Sequence, residues 1–211
     1  TSNDSGLVFE LAVPRPVVED VTVAGRTFQR LTIPGYSASG LPGHPELLET
    51  GVVVGLPPTG SVAVRVLAQQ VEVLPGTYTL YPVPDTEIVV DPATGHPDLA
   101  AGVQARFAWD DSAYATAAYL PATAAEVVET AVIRQQRVAR IAVRPVQYNP
   151  ATGAVQFNRF LRVEVVFAAH AAALAAVDMA PPDAFDPLLR QWLLNGAQSS
   201  AWRLPRQGSA L

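Results

Sequence analysis

With 211 residues the chain can bury a core large enough to need no metal or disulfide staple. Apolar residues make up 49% and charged residues 16%, which excludes a disordered polyelectrolyte, and 19 prolines with 14 glycines argue against a helical bundle. Cysteine is absent and every basic residue is arginine, so a thiolate nucleophile, a cysteine-ligated metal and lysine Schiff-base chemistry are excluded; the net charge of −5 leaves no basic patch for nucleic acid.

Gly6 to Val13 alternates partly, and Val21 to Ile33 reads as a hairpin around Ala24-Gly25. Residues 34 to 50, with Pro34-Gly35, Pro42-Gly43 and Pro45, read as irregular. Strands are expected at Gly51 to Leu56, Ser61 to Glu72 and Thr77 to Pro82; Val62, Val64 and Val66 give the middle one the period of a half-buried strand. Residues 83 to 125 form a long connection with one strand-like piece at Val103 to Trp109. Strands resume at Val127 to Ile133, Arg137 to Val143, Ala154 to Phe157 and Arg159 to Phe167. Among these later strands lies the turn Asn149-Pro150-Ala151-Thr152-Gly153. Phe185, Leu188, Leu189, Trp192 and Leu193 recur at helical spacing and predict one helix over 183–195, capped by Asp183 or Asp186 and stopped by Asn195-Gly196. Trp192 is its largest apolar side chain and is expected to pack on the sandwich or on a partner. The fold class is all-β, an antiparallel β-sandwich with one C-terminal helix. Residues 1–211 form a single domain, with 168–182 a linker and 196–211 a tail.

No apolar run is long enough for a membrane span; the nearest, Ala168 to Val177, is short and alanine-rich. The chain begins at Thr1 without a secretory leader, so it is either cytosolic or has had a targeting segment removed.

Candidate chemistry is sparse. His44, His96 and His170 stand in separate segments. His96 and Asp98 can meet in a turn and Ser112 can complete a triad, yet no nucleophile elbow surrounds any serine. Asp110-Asp111, an adjacent carboxylate pair, reads as a solvated turn, since neighbours on an extended chain face opposite ways. Arg134, Arg137, Arg140 and Arg144 lie among β-branched residues and read as solvated strand positions on both faces. No phosphate loop or metal-spaced cluster occurs, so no cofactor or metal is expected and the domain itself is expected to be catalytically silent. Pro145 and Pro150 bracket Gln147, Tyr148 and Asn149, which favours a structural turn in which Tyr148 buries its ring and Asn149 closes an Asx-type bend.

Arg140-Ile141-Ala142-Val143-Arg144-Pro145-Val146-Gln147-Tyr148-Asn149-Pro150-Ala151-Thr152-Gly153, followed by Val163 to Phe167, carries a resemblance. It is similar to the closing strands of the N-terminal propeptide of gingipain-type cysteine peptidases, where a P-x-Q-Y-N-P-x-T turn links two strands. Gly43-His44-Pro45-Glu46-Leu47-Leu48 resembles that family's G-x-P-x-L-P element, with Leu48 replacing the second proline. Leu56-Pro57-Pro58-Thr59-Gly60 sits where the family has a proline-glycine turn, and Asp186-Pro187-Leu188-Leu189 to Leu194-Asn195 resembles its terminal helix. The resemblance runs from about Val8 to Trp202.

It implies a prodomain that occludes the cleft of a cysteine peptidase lying C-terminal to it, assists its folding and is removed by proteolysis on maturation. It also implies a secreted or cell-surface protein whose signal peptide has been removed. In the family a loop after a proline-containing strand end inserts a basic side chain into the primary specificity pocket. Leu80-Tyr81-Pro82-Val83-Pro84 matches that strand end. The inhibitory segment is then Glu87, Ile88, Val89, Val90, Asp91 and Pro92, and the position of the family's basic residue falls at or beside Asp91. The loop holds no arginine, so the enzyme accepts aspartate or a different residue enters; Arg106 is the alternative for an Arg-specific enzyme. Two further readings stand beside these: residues 87–91 as an ordinary sandwich strand, and the whole chain as a binding or adhesion module of an exported multidomain protein.

Overall fold

The computed structural model describes residues 2–90, 93–96, 102–168, 184–202 and 204, and among them strands far outnumber helices. The organising strand is β13 (Ala154–Ala168), whose Val155, Phe157, Leu161, Val163, Val165 and Phe167 are all buried. Along one side it pairs antiparallel with β2 (Gly6–Ala12), which carries β1 (Ser2–Asn3), and with β12 (Val146–Asn149). Along the other it pairs with β7 (Ser61–Leu74), so that Val163 lies between Phe9 and Val66. The second sheet has the order β10 (Ala125–Ile133), β11 (Gln136–Val143), β6 (Leu47–Gly55), β5 (Ser37–Ser39). The inner faces meet in two apolar clusters, Leu7, Val54, Leu56, Ile141, Val165 and Phe167 in one, Val143, Leu161 and Val163 in the other. This is an all-β antiparallel sandwich.

A third cluster closes one end. Leu31, Ile33, Leu48, Leu80, Tyr148 and Phe157 pack there beneath the hairpin of β3 (Val17–Val23) and β4 (Arg26–Thr32). Both turn residues of that hairpin, Ala24 and Gly25, have positive φ (50° and 76°), the twist that tight two-residue hairpins require. Tyr148 is buried with its hydroxyl donating to the Tyr78 carbonyl at 2.9 Å. Gln147 donates to the Pro121 carbonyl, also at 2.9 Å. Asn149 accepts from the Thr152 amide, and Gly153 N closes the bend on the Asn149 carbonyl at 2.8 Å.

Several elements differ from the sequence reading. The strands expected at 154–157 and 159–167 are one strand, because the register shift between Asn158 and Phe160 absorbs the break as a bulge. Residues 34–50 are not irregular throughout: Ser37–Ser39 pairs with Leu47–Glu49, while residues 34–36 and 40–46 stay out of the ladder. Thr77 to Pro82 is not a strand; Leu80 and Pro82 make single bridges to Gln29 and Pro45, since proline supplies no donor for a ladder.

The C-terminal region departs most. Residues 169–183, including Asp183 and His170, lie outside the described residues. Helix α2 spans Asp186–Trp192 rather than 183–195, with Pro187 in its first turn and Leu193 already extended at ψ 132°. Leu194 N donates to the Val53 carbonyl at 2.9 Å. The Asn195 carboxamide accepts from Gly55 N at 2.8 Å and donates to Gly55 O at 3.0 Å, which fastens the chain to β6. A second short helix (Gly196–Ser199) lies over Gly55, where an added Cβ would stand 2.3 Å from Ser199 Cβ. Trp202 is 4% exposed and meets the Phe167 ring edge-on at 5.5 Å, so residues 196–202 belong to the fold and are not a tail. Trp192 is 56% exposed, so it is not a core residue of the sandwich. Among the described residues no helix is long and apolar enough to cross a membrane.

Candidate functional site

The segments around Glu87 and Arg106 come together. β8 (Asp85–Ile88) and β9 (Val103–Arg106) pair antiparallel as a two-stranded hairpin outside both sheets. In register, Ile88 faces Val103 and Thr86 faces Ala105 on one side, while Glu87 faces Gln104 and Asp85 faces Arg106 on the other. One face is thus largely apolar and the other polar. Ile88 is 59% and Val103 63% exposed, and Val90 beyond them is exposed as well. On the polar face Arg106 Nη1 donates to Glu87 Oε2 at 2.9 Å. The two sequence candidates are therefore partners across one hairpin. Residues 85–88 form a strand, but not a strand of the sandwich. Asp91 and Pro92 lie outside the described residues.

The two legs of the hairpin are held differently. The outgoing leg is fixed by main-chain bonds: Tyr81 N to Gln29 O, Glu46 N to Tyr81 O, Val83 N to His44 O and Gly43 N to Val83 O, each 2.8 Å. The returning leg makes one, from Asp110 N to Gly43 O at 3.2 Å. It is seated instead by aromatic packing. Phe107 and Trp109 lie 5.6 and 5.7 Å from the buried Phe28 ring, and Trp109 stacks on Tyr114 at 3.7 Å. The Arg26 guanidinium lies 4.0 Å from the Trp109 ring centroid, and that of Arg30 4.3 Å from the Tyr81 ring. Sequence reasoning missed this base; the aromatic pair Phe107 and Trp109 in an otherwise small and polar stretch was the available signal.

Asp110 caps the short helix α1 (Asp111–Tyr114), accepting from Ser112 N at 2.8 Å, Ala113 N at 3.2 Å and Ser112 Oγ at 2.6 Å. Those donors hold its carboxyl below the usual aspartate range. Asp111 accepts from Trp109 Nε1 at 2.7 Å, so the acidic pair is a cap and a tether rather than a free solvated turn. His44 Nε2 approaches Asp110 at 3.7 Å. The aspartate stands between serine and imidazole, so this histidine is not placed to take the Ser112 proton. His96 lies in an exposed turn, and Asp98 lies outside the described residues.

Arg134, Arg137, Arg140 and Arg144, on and beside β11, are paired rather than solvated. Glu49 receives Arg140 at 3.0 Å and Arg144 at 2.8 Å, and Arg144 also binds Glu126. Arg137 donates to the Pro57 and Gly60 carbonyls, and Arg134 lies 4.8 Å from the Phe185 ring centroid. Two glutamates answer Arg140 and Arg144, so these side chains leave no net charge for an anion. Among the described residues no group of three His, Asp or Glu side chains is placed to hold a metal ion.

Comparison with curated proteins gives no match. Among solved structures, the fold is similar to a complex of the Porphyromonas gingivalis RgpB pro- and mature domains, with a TM-score of 0.73 and 16% identity over 93% of this chain and 95% of that one. It is also similar to a structure of gingipain K from Porphyromonas gingivalis, described as an insight into zymogenic latency, with a TM-score of 0.62 and 21% identity over 80% and 90% of the two chains. At these identities the likeness shows the fold. The sequence profile of Propeptide_C25 matches residues 1–179, and the chain accordingly belongs to the Propeptide_C25 family.

Proposed function

We propose that this domain is the N-terminal prodomain of a gingipain-type cysteine peptidase lying C-terminal to it. It keeps the enzyme latent by occluding the active-site cleft, assists its folding and is removed by proteolysis on maturation. The family match over residues 1–179 carries the reading. The likeness in fold to a complex of pro- and mature domains supports it. The domain supplies no catalytic group of its own, and the protein that carries it is secreted or held at the cell surface.

The exposed hairpin supports a site for this occlusion. Peptidases bind extended segments largely through main-chain pairing, and the proposed segment, Glu87 to Pro92, begins in strand β8 with Ile88 and Val90 exposed. In this reading Asp91 enters the specificity pocket, and Pro92 after it makes the scissile amide tertiary and slow to cleave. For an Arg-specific enzyme Arg106 enters instead, which requires only the loss of an exposed ion pair with Glu87, worth under about 1 kcal/mol.

The test is inhibition of the cognate peptidase by the wild-type, Asp91→Ala and Arg106→Ala domains. We expect Asp91→Ala to lose at least tenfold in potency, about 1.4 kcal/mol, and Arg106→Ala to keep it. The reverse pattern overturns the assignment to Asp91, and a wild-type domain that does not inhibit overturns latency itself.

A further inference from the structure

We infer that Arg26, acting through the Trp109–Tyr114 stack, positions the β8–β9 hairpin and so sets the affinity of the domain for the peptidase, an inference that rests on the latency reading above. All eight residues of β8 and β9 are exposed, and among the described residues the two strands pair only with each other. Nothing along the described hairpin fixes its direction relative to the sandwich, so its two legs must. The outgoing leg has four main-chain bonds to β4 and to the loop 43–46, and these hold whichever side chains are present. The returning leg has one main-chain bond and otherwise depends on side chains.

Those side chains form a layered stack. Tyr114 is anchored from below, its hydroxyl donating to the Leu80 carbonyl at 2.6 Å. Burial pushes its phenol well above the ordinary tyrosine range, so it remains a donor at all working pH values. Trp109 lies flat on it, with an interplanar angle of 19°, and the Arg26 guanidinium lies 4.0 Å from the Trp109 ring centroid. Arg26 is the first residue of β4, directly after the Ala24-Gly25 turn, so its place along the β3–β4 hairpin sets where its guanidinium starts. A cation against an indole face gains through the ring quadrupole, and the planar guanidinium adds stacking area that an ammonium lacks. The stack therefore holds Trp109, and Trp109 holds the point at which β9 rejoins the domain. A hairpin oriented before it meets the enzyme loses less freedom on binding than one that swings.

The experiment compares wild-type, Arg26→Ala and Arg26→Lys domains in three measurements: inhibition of the cognate peptidase, thermal midpoint, and amide hydrogen exchange of β9 in the free domain. Arg26→Ala is expected to inhibit about threefold to fivefold more weakly. Its β9 amides should exchange faster by a similar factor, while the thermal midpoint and β13 exchange stay at wild-type values. Arg26→Lys should recover part of both effects. An Arg26→Ala domain within twofold of wild type in potency, or with unchanged β9 exchange, overturns the inference. If the wild-type domain does not inhibit, the latency reading fails, and β9 exchange in the free domain still decides whether Arg26 positions the hairpin.

Discussion

The strands around β13 and the β8–β9 hairpin use the same antiparallel pairing to opposite ends. β13 has a neighbour on each side along its length, and one of its faces is buried in the sandwich. β8 and β9 have one neighbour each and present both faces to solvent, with Ile88 and Val103 among the most exposed apolar residues. A lone two-stranded hairpin is marginally stable in water. Burial therefore orders the sandwich, whereas pairing across the hairpin and its two legs order β8 and β9. The exposed apolar face adds nothing to folding, and in the proposed function it is the part that meets the peptidase.

The contrast breaks hardest at the core. Trp202→Ala should lower the unfolding free energy by about 3–5 kcal/mol, because it empties a site against Phe167, whereas Trp192→Ala should cost under about 1 kcal/mol. Chemical denaturation of the two variants checks this, and equal losses would mean that α2 is packed as tightly as the sandwich. Asn195→Ala comes next, at about 1–3 kcal/mol, since both buried polar groups of Gly55 lose their partner. Limited proteolysis after residue 184 should quicken in that variant.

A pH effect follows from Glu46, beneath the outgoing leg and 3.2 Å from Arg30. Burial raises its carboxyl above the ordinary 4.5, against the lowering pull of Arg30. A raised acid contributes stability that is full below about 4.5 and is lost as pH climbs through the raised value. Asp110 has the opposite sign: its depressed carboxyl contributes above the ordinary 3.8, and that contribution is lost as pH falls through the lowered value. Thermal midpoints between about pH 3 and 7 should show Glu46→Gln flattening the first slope and leaving the second.

The smallest stability change belongs to the hairpin. Replacing Ile88 and Val103 together by serine should leave the unfolding free energy within about 0.5 kcal/mol of wild type, because neither is packed. Inhibition should weaken tenfold or more. A variant that unfolds more easily would show that this face is packed after all.

Where burial decides a strand, the sequence was readable. Val62, Val64 and Val66 alternate because one face of β7 meets the core, and Ala24-Gly25 announces its turn through the conformation it needs. Asn158 and Arg159 hid the continuity of β13, since a bulge interrupts alternation without ending a strand. Tyr78 and Leu80 look like strand residues, but Pro75, Pro82 and Pro84 deny that segment a ladder. At the candidate site, the β-branched run at Ile88 to Val90 was legible, while its pairing with Val103 to Arg106 and the contact of Arg26 with Trp109 were not. Both join residues far apart in the chain, and no local pattern encodes them. Trp192 and Trp202 were distinguishable only by what the Asn195 carboxamide does to the path between them.

That carboxamide has a consequence beyond the energy of its two bonds. On the side of β6 away from β11, Val53 and Gly55 turn their main-chain groups outward, and Leu194 and Asn195 occupy them. A protein truncated before Leu193 would leave an open row of donors and acceptors there, beside Gly51 and Val53, with neither charge nor proline to repel another chain. Such a row is a template for intermolecular strand addition, the first step toward aggregation. The Leu194-Asn195 pair beyond the helix thus covers that edge: one amide, shaped like a peptide group, takes the place that a stranger's backbone would otherwise fill.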